Sequence, residues 1–115
     1  MLFRSGFGSA GPIVAAARAL AGNAIDRAAV DTGGFRFGSL LDYRHPSFLP
    51  GGAKYLDLPG MLALSAPHPL WLAGEGTSPG LIAGPYRTAG KSDQLTTFTG
   101  EPAQKESSAI EWLLK

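Results

Sequence analysis

Cysteine is absent from the 115 residues of this chain, which excludes disulfide bonds, thiolate metal sites and a cysteine nucleophile. Its absence leaves the cellular compartment open, because reducing and oxidising environments both admit a protein without thiols. Histidine is scarce as well, and His45 and His68 are the only two imidazoles in the chain. No recognisable metal-ligand spacing surrounds His45, so the sequence predicts no metal site and no cofactor.

Runs of like charge and long apolar runs are also missing. The 10 Lys and Arg residues and the 9 acidic residues are spread along the chain, so we expect neither a nucleic-acid groove nor a polybasic membrane patch. No apolar run approaches the roughly 20 residues that a membrane-spanning helix needs. Hydrophobic residues nevertheless make up 44% of the chain, which is typical of folded proteins, so we expect one domain over residues 1–115.

Helix-like and strand-like segments alternate along the chain. Helices are predicted at 12–21, from 57 to before Pro67, at 81–87 and at 105–115, and strands at 25–31, 70–73 and 94–99. Asp57 is a plausible N-cap of the second helix. The 16 glycines and 9 prolines predict long loops, above all between residues 35 and 55. Alternating strands and helices specify an α/β fold: three or four mostly parallel strands between helical layers.

The first helix is preceded by a glycine-dense turn, Gly6 to Gly11, with the sequence GFGSAG. Pro12 then opens the helix, as suits a residue with a fixed φ and no N–H. The turn is similar to the G-x-S-x-G nucleophile elbow of α/β-hydrolases. If Ser9 is the nucleophile, Phe7 crowds the leading glycine position. If Gly6 is that leading glycine, the register fits sterically but places Gly8, which has no side chain, at the nucleophile position, and we favour this register.

Two other interpretations of the turn stay open. Gly6, Gly8 and Gly11 formally satisfy the phosphate-binding pattern G-x-G-x-x-G. However, no strand of useful length is predicted before them, and no acidic ribose partner is clearly placed. An ordinary glycine-rich turn without catalytic ancestry is the other alternative.

Residues 48–75, FLPGGAKYLDLPGMLALSAPHPLWLAGE, extend the resemblance. Together with the turn, they make the chain resemble the C-terminal half of an α/β-hydrolase of the dienelactone hydrolase, acetyl xylan esterase and prolyl oligopeptidase-like branch. In that branch a similar loop and helix lead into the strand that ends in the catalytic acid. The resemblance covers nearly the whole chain but half of a hydrolase domain. It implies a partial three-layer hydrolase fold, with an open sheet edge that a partner chain or an oligomer would cover.

The resemblance also implies a triad in the order nucleophile, acid, histidine. Glu75 follows the predicted strand at 70–73, although the family's acid falls nearer Thr77 or Ser78. The loop after residues 94–99 should supply the histidine, and it contains none. A rewired set of Ser9, His45 and either Asp31 or Glu75 remains conceivable, because His45 lies in the loop after the strand that ends at Asp31.

His68 precedes its strand and is expected to be a structural or surface residue. Trp71 is expected in the core, and Trp112 against the sheet.

Three functions are therefore carried forward. The first is a hydrolase-family domain of carboxylic-ester type whose catalytic set is incomplete and whose substrate class would be a small ester. The second is a non-catalytic binding or structural domain that uses the edge formed by Gly6–Gly11, Asp31–His45 and Glu75–Ser78, with Gly8 and Asp31 as binding residues. The third is an active serine esterase with the rearranged triad.

Overall fold

A four-stranded, all-parallel sheet forms the centre of the computed structural model, which describes residues 1–76 and 80–115. Its strands lie side by side in chain order: β1 (Phe3–Gly6), β2 (Arg27–Asp31), β3 (Leu70–Ala73) and β4 (Leu95–Thr97). The register aligns Gly6 with Val30, Val30 with Leu72, and Leu72 with Thr97. The predicted parallel α/β class is confirmed.

Helices cover both faces of this sheet, as the alternating pattern predicts. They are α1 (Gly11–Ala21), α2 (Asp57–Ala63), α3 (Gly80–Thr88) and α4 (Lys105–Leu114). The first three share one core with the sheet, in which the side chains of Ala15, Leu58, Leu62, Ile82 and Tyr86 are fully buried. The helix α4 covers the opposite face alone.

The opposite face has a smaller core, built around Trp71. Its indole is 1% exposed and lies between the rings of Phe7 and Phe98, at centroid distances of 6.3 and 5.3 Å. Ala109 and Trp112 of α4 belong to the same cluster, so the roles predicted for the two tryptophans are confirmed. Small residues on β2 let α4 approach the sheet, since Ala29 is fully buried there.

Three local expectations are corrected. A strand of four residues, β1, does precede the glycine turn, because its parallel pairing with β2 outweighs the weak β propensity of its glycine and serine. Strand β4 is shorter than predicted, and Asp57 is the first residue of α2, not its N-cap. The N-cap position belongs to Leu56, which has φ +74°. The Asp57 carboxylate accepts hydrogen bonds both from the loop at Phe37–Gly38 and from Leu58 in the first turn of α2.

The parallel strands place their carboxyl ends along one edge of the sheet. The turn before α1, the segment after β2 and the segment after β3 meet there, and ligand sites of parallel sheets usually lie at this edge. The sheet ends at β1 on one side and β4 on the other, as far as residues 1–76 and 80–115 show. Within those same ranges, no helix has the length and hydropathy to span a bilayer.

Candidate functional site

The turn between β1 and α1 is bent by close approaches of its glycines. A Cβ on Gly6 would stand 2.7 Å from the carbonyl oxygen of Ala10 and 2.7 Å from Cγ2 of Val14. A Cβ on Gly11 would stand 2.0 Å from the carbonyl oxygen of Asp31, at the end of β2. Larger residues at these positions would push α1 away from the sheet. The bend therefore requires small residues on both sides of Gly8.

Gly8 itself is the residue of this turn with a left-handed backbone, at φ +57°. A Cβ at Gly8 would have open space around it, with no atom within 4 Å. In a nucleophile elbow the catalytic serine occupies the strained position of a sharp strand-to-helix turn. In the present turn the left-handed position is occupied by Gly8. Ser9 follows it, exposed, in a single 3-10 turn, Gly8–Ala10.

Asp31 lies at the carboxyl tip of β2, as predicted, but its carboxylate is already engaged. Its Oδ2 accepts a hydrogen bond from Lys105 Nζ at 2.8 Å, and its Oδ1 accepts one from the backbone N–H of Gly33 at 3.0 Å. Lys105 is the first residue of α4, so this ion pair joins the far layer of the fold to the functional edge. A catalytic role for Asp31 would require breaking that pair.

Glu75 is engaged more fully. Arg36 donates two hydrogen bonds to its carboxylate, at 2.9 and 2.6 Å, and the Thr32 hydroxyl donates a third at 2.5 Å. The Glu75 side chain is only 2% exposed. The hydrogen bond to Glu75 raises the pKa of Arg36 above its usual value, so the Arg36 guanidinium stays charged. The hydrogen bonds of Glu75 therefore connect the segment after β3 to the loop after β2.

His45 and Ser9 line the same cavity, of about 410 Å³, at the carboxyl edge. Gly8, Thr32, Ser39 and Ser47 also line it. The imidazole Nδ1 of His45 accepts a hydrogen bond from the backbone N–H of Ser47 at 3.0 Å. Across residues 1–76 and 80–115, no hydrogen bond joins His45 to Ser9 or to a carboxylate. The structure brings Ser9 and His45 to one cavity without linking them as a catalytic pair.

The remaining predicted positions lie elsewhere. Thr77 and Ser78, where the resemblance places the family's acid, lie outside the described residues. His68 precedes β3 and is half-buried, and its carbonyl oxygen accepts a hydrogen bond from the Tyr86 hydroxyl at 2.7 Å. Burial and the nearby positive charge of Arg18 lower the pKa of His68. Within the described part of the chain, no group of three metal-ligating side chains comes together.

Thr32, Arg36 and Lys105 are site residues that the sequence did not reveal. They hold both carboxylates of the edge, yet Arg36 is 39 residues from Glu75 and Lys105 is 74 from Asp31. No local pattern encodes such distant pairs. The one available signal was the position of Asp31 and Glu75 at two strand ends that meet at the same edge of the sheet.

Comparisons with known proteins add no assignment, since no family model, no curated protein and no solved structure matches this chain.

Proposed function

We propose that this chain is an α/β-hydrolase-type domain of carboxylic-ester ancestry whose catalytic set is incomplete. The observation that supports this most directly is the conformation of Gly8. The strand, the sharp turn and the helix that define an elbow follow one another at β1, Gly6–Gly11 and α1. The left-handed position of that turn is a residue without a side chain, so the elbow has no nucleophile of its own.

The state of the two acids supports the same proposal. A catalytic carboxylate must orient an imidazole, but the carboxylates of Asp31 and Glu75 are held by Lys105 and Arg36. The loop after β4 contains no histidine. A serine without a general base stays protonated at neutral pH and is a poor nucleophile. The domain then acts as a binding or structural module built on a hydrolase-like frame, and a partner strand along β1 would complete its sheet.

A second candidate, an active esterase with Ser9 as nucleophile and His45 as base, is favoured by one observation. Both residues line the cavity of about 410 Å³. Catalytic hydrogen bonds are often long before substrate binds and tighten in the complex. Turnover of p-nitrophenyl acetate distinguishes the two candidates: Ser9→Ala and His45→Gln should not change the rate if the catalytic set is incomplete. A loss of turnover in both variants would establish the second candidate instead.

The hydrolase-like bend itself is tested by giving it a nucleophile. Because the chain has no cysteine, Gly8→Cys introduces a single thiol into open space at the first residue of the 3-10 turn that leads into α1. A helix N-terminus lowers a thiol pKa. The thiolate should attack the acyl carbon of p-nitrophenyl acetate, and the ester C–O bond should break to release one equivalent of p-nitrophenolate, leaving a stable thioester.

The matched control is Leu114→Cys, at the exposed last residue of α4, far from any helix N-terminus. We expect acylation of Gly8→Cys to be about threefold faster than that of the control at neutral pH, since lowering the thiol pKa by about one unit raises the thiolate fraction nearly tenfold but makes the thiolate about threefold less nucleophilic. Equal rates in two folded variants would refute the proposed elbow. Circular dichroism and thermal unfolding would show that both variants are folded.

A further inference from the structure

An apolar groove lies on the outer side of α1, away from the bend. Its volume is about 420 Å³, within the range of small-molecule sites. Helix α1 starts at the carboxyl edge of the sheet and runs back towards the opposite edge, so the groove, which faces Ala19 and Leu20, is well separated from Gly8. We call it the α1 groove; it is lined mainly by α1, the segment 49–56 and α2, and its principal apolar residues are Leu20, Leu49, Leu56, Met61, Leu64 and Leu81.

The apolar side chains of the α1 groove are unusually exposed. Leu20, Leu56 and Leu64 are 87%, 65% and 69% exposed. Such exposure costs free energy in water, at about 25 cal/mol for each Å² of apolar surface. Contiguous apolar patches of this kind mark ligand or interaction sites. An apolar occupant would remove this surface from water.

The groove has a positive charge at its rim. Lys54 is the only charged residue among its lining side chains in the described part of the chain. Its ammonium lies 5.8 Å from the centre of the Tyr55 ring, and in residues 1–76 and 80–115 no carboxylate is within salt-bridge distance of it. The groove thus pairs a broad apolar wall with one available cation.

The backbone holds this arrangement in a strained conformation. Tyr55, Leu56 and Asp57 have φ of +52°, +74° and +57°, and residues other than glycine rarely adopt such values. Gly60 lies close beneath them, since a Cβ there would stand 2.1 Å from the carbonyl oxygen of Tyr55. This conformation presents Leu56 to the groove next to Lys54. Strain of this kind is concentrated at functional sites.

The α1 groove is continuous with a second cavity along the helix. This cavity, of about 250 Å³, shares Ala16 and Leu49 with the groove and extends the apolar lining to Ile13 and Phe48. From Leu20 to Ile13 the helix rises by about 10 Å. An elongated apolar surface with a cation in only one of its two cavities is complementary to a linear chain with an anionic head.

We propose that the α1 groove binds a linear aliphatic carboxylate, with the carboxylate at the Lys54 ammonium and the chain along α1 from Leu20 towards Ile13. The proposal goes beyond the proposed function, because the groove around Lys54 is lined by neither Gly8, Ser9 nor His45, and Ser9 borders only the second cavity, where the far end of the aliphatic chain would lie. The site differs from the cavity of Ser9 and His45, whose polar lining suits a hydrogen-bonding ligand.

Isothermal titration calorimetry with decanoate, below its micellar concentration, tests the proposal. Wild-type protein should bind decanoate. Lys54→Glu should weaken that binding about tenfold, because it replaces an attraction by a repulsion of similar size. Lys91→Glu makes the same charge change on an exposed lysine outside the groove and should leave the affinity within twofold of wild type.

Decanol distinguishes the contribution of the carboxylate from that of the aliphatic chain. It has the same aliphatic chain without the charge, so its binding should be insensitive to Lys54→Glu. Leu64→Gln, at an exposed position of the groove wall, should weaken both ligands. Absence of decanoate binding, or equal weakening by Lys54→Glu and Lys91→Glu, would overturn the proposal. Analytical ultracentrifugation gives a further test. If the wild type forms a stable dimer that persists with decanoate but is lost in Leu64→Gln, the groove is covered by a second copy of the chain, and the proposal is overturned.

Discussion

The backbone of Gly11 lies in close contact with the carbonyl oxygen of Asp31. A Cβ on Gly11 would stand 2.0 Å from that oxygen and 3.0 Å from its carbon. Both contacts are to backbone atoms, which cannot swing aside as the end of a side chain can. This contact sets how closely the first turn of α1 approaches the end of β2, and thus where the bend at Gly8 lies relative to Asp31.

We predict that Gly11→Ala destabilises the protein by at least about 3 kcal/mol, at the upper end of the usual cost of overpacking. The measurement is the free energy of unfolding in urea. Gly80→Ala is the control: Gly80 is the first residue of α3, and among the described residues a Cβ there meets no atom within 4 Å. It should be neutral or stabilising by up to about 1 kcal/mol, because alanine favours helices more than glycine does. Equal effects of the two substitutions would contradict the close approach.

The fold class could be predicted from the sequence because its signals are local. The run Ala28-Ala29-Val30 and the segment 70–73 are continuous apolar stretches, and such stretches predict strands buried on both faces. The strand before Gly6 was missed because its residues, Phe3-Arg4-Ser5-Gly6, have no such pattern. It exists through its pairing with β2, which is a tertiary interaction.

The site was only partly predictable, for a related reason. The glycine turn and the acids at strand ends are local features, and the sequence placed them at one edge. Whether an acid is available to an imidazole depends on its ion partners. Those partners, Arg36 for Glu75 and Lys105 for Asp31, come from segments 39 and 74 residues away. Sequence spacing carries no information on such contacts.

We predict that Arg36→Met destabilises the protein by about 2 kcal/mol. The substitution leaves the Glu75 carboxylate, with 2% side-chain exposure, without its cation. Removing one partner of a fully buried ion pair costs about 3–5 kcal/mol of stability. The cost is smaller here because the Arg36 side chain is 36% exposed and solvent screens its interaction with Glu75. The double variant Arg36→Met/Glu75→Gln should recover part of the loss in urea unfolding. If the stability lost in the double variant equals the sum of the losses in Arg36→Met and Glu75→Gln, the two side chains do not interact.

The carboxylate of Asp57 accepts three backbone hydrogen bonds, from Phe37, Gly38 and Leu58, at 2.8, 2.8 and 2.7 Å. Burial alone would raise its pKa, but these bonds and the charge of Arg36 outweigh burial, so the pKa of Asp57 is lowered from 3.8. A carboxyl group whose pKa is lowered by folding stabilises the protein at pH values above its pKa in the unfolded chain. This stabilisation is lost as the pH falls through its pKa in the folded protein.

Asp57→Asn should therefore lower the free energy of unfolding at neutral pH and flatten its decrease below about pH 4. Asp42→Asn, at an exposed carboxylate whose ion pair with Arg44 spans 3.4 Å, is the control and should change stability by less than about 0.5 kcal/mol. Unfolding in urea at several acidic pH values measures both. An unchanged pH profile in Asp57→Asn would show that its backbone contacts do not depend on the charge.

His68 gives a pH dependence in a different range. Burial, together with the positive charge of Arg18, lowers its pKa from 6.5, so the unfolded chain binds a proton at a pH where the folded protein does not. Stability must then decrease as the pH falls from about 6.5 through the folded pKa of His68. Thermal unfolding between about pH 7 and pH 5 should show this decrease in the wild type, and His68→Gln should diminish it. His45→Gln, at the exposed histidine of the long loop, should retain it. If instead His45→Gln abolishes the dependence and His68→Gln does not, the attribution of this pH dependence to the histidine before β3 is wrong.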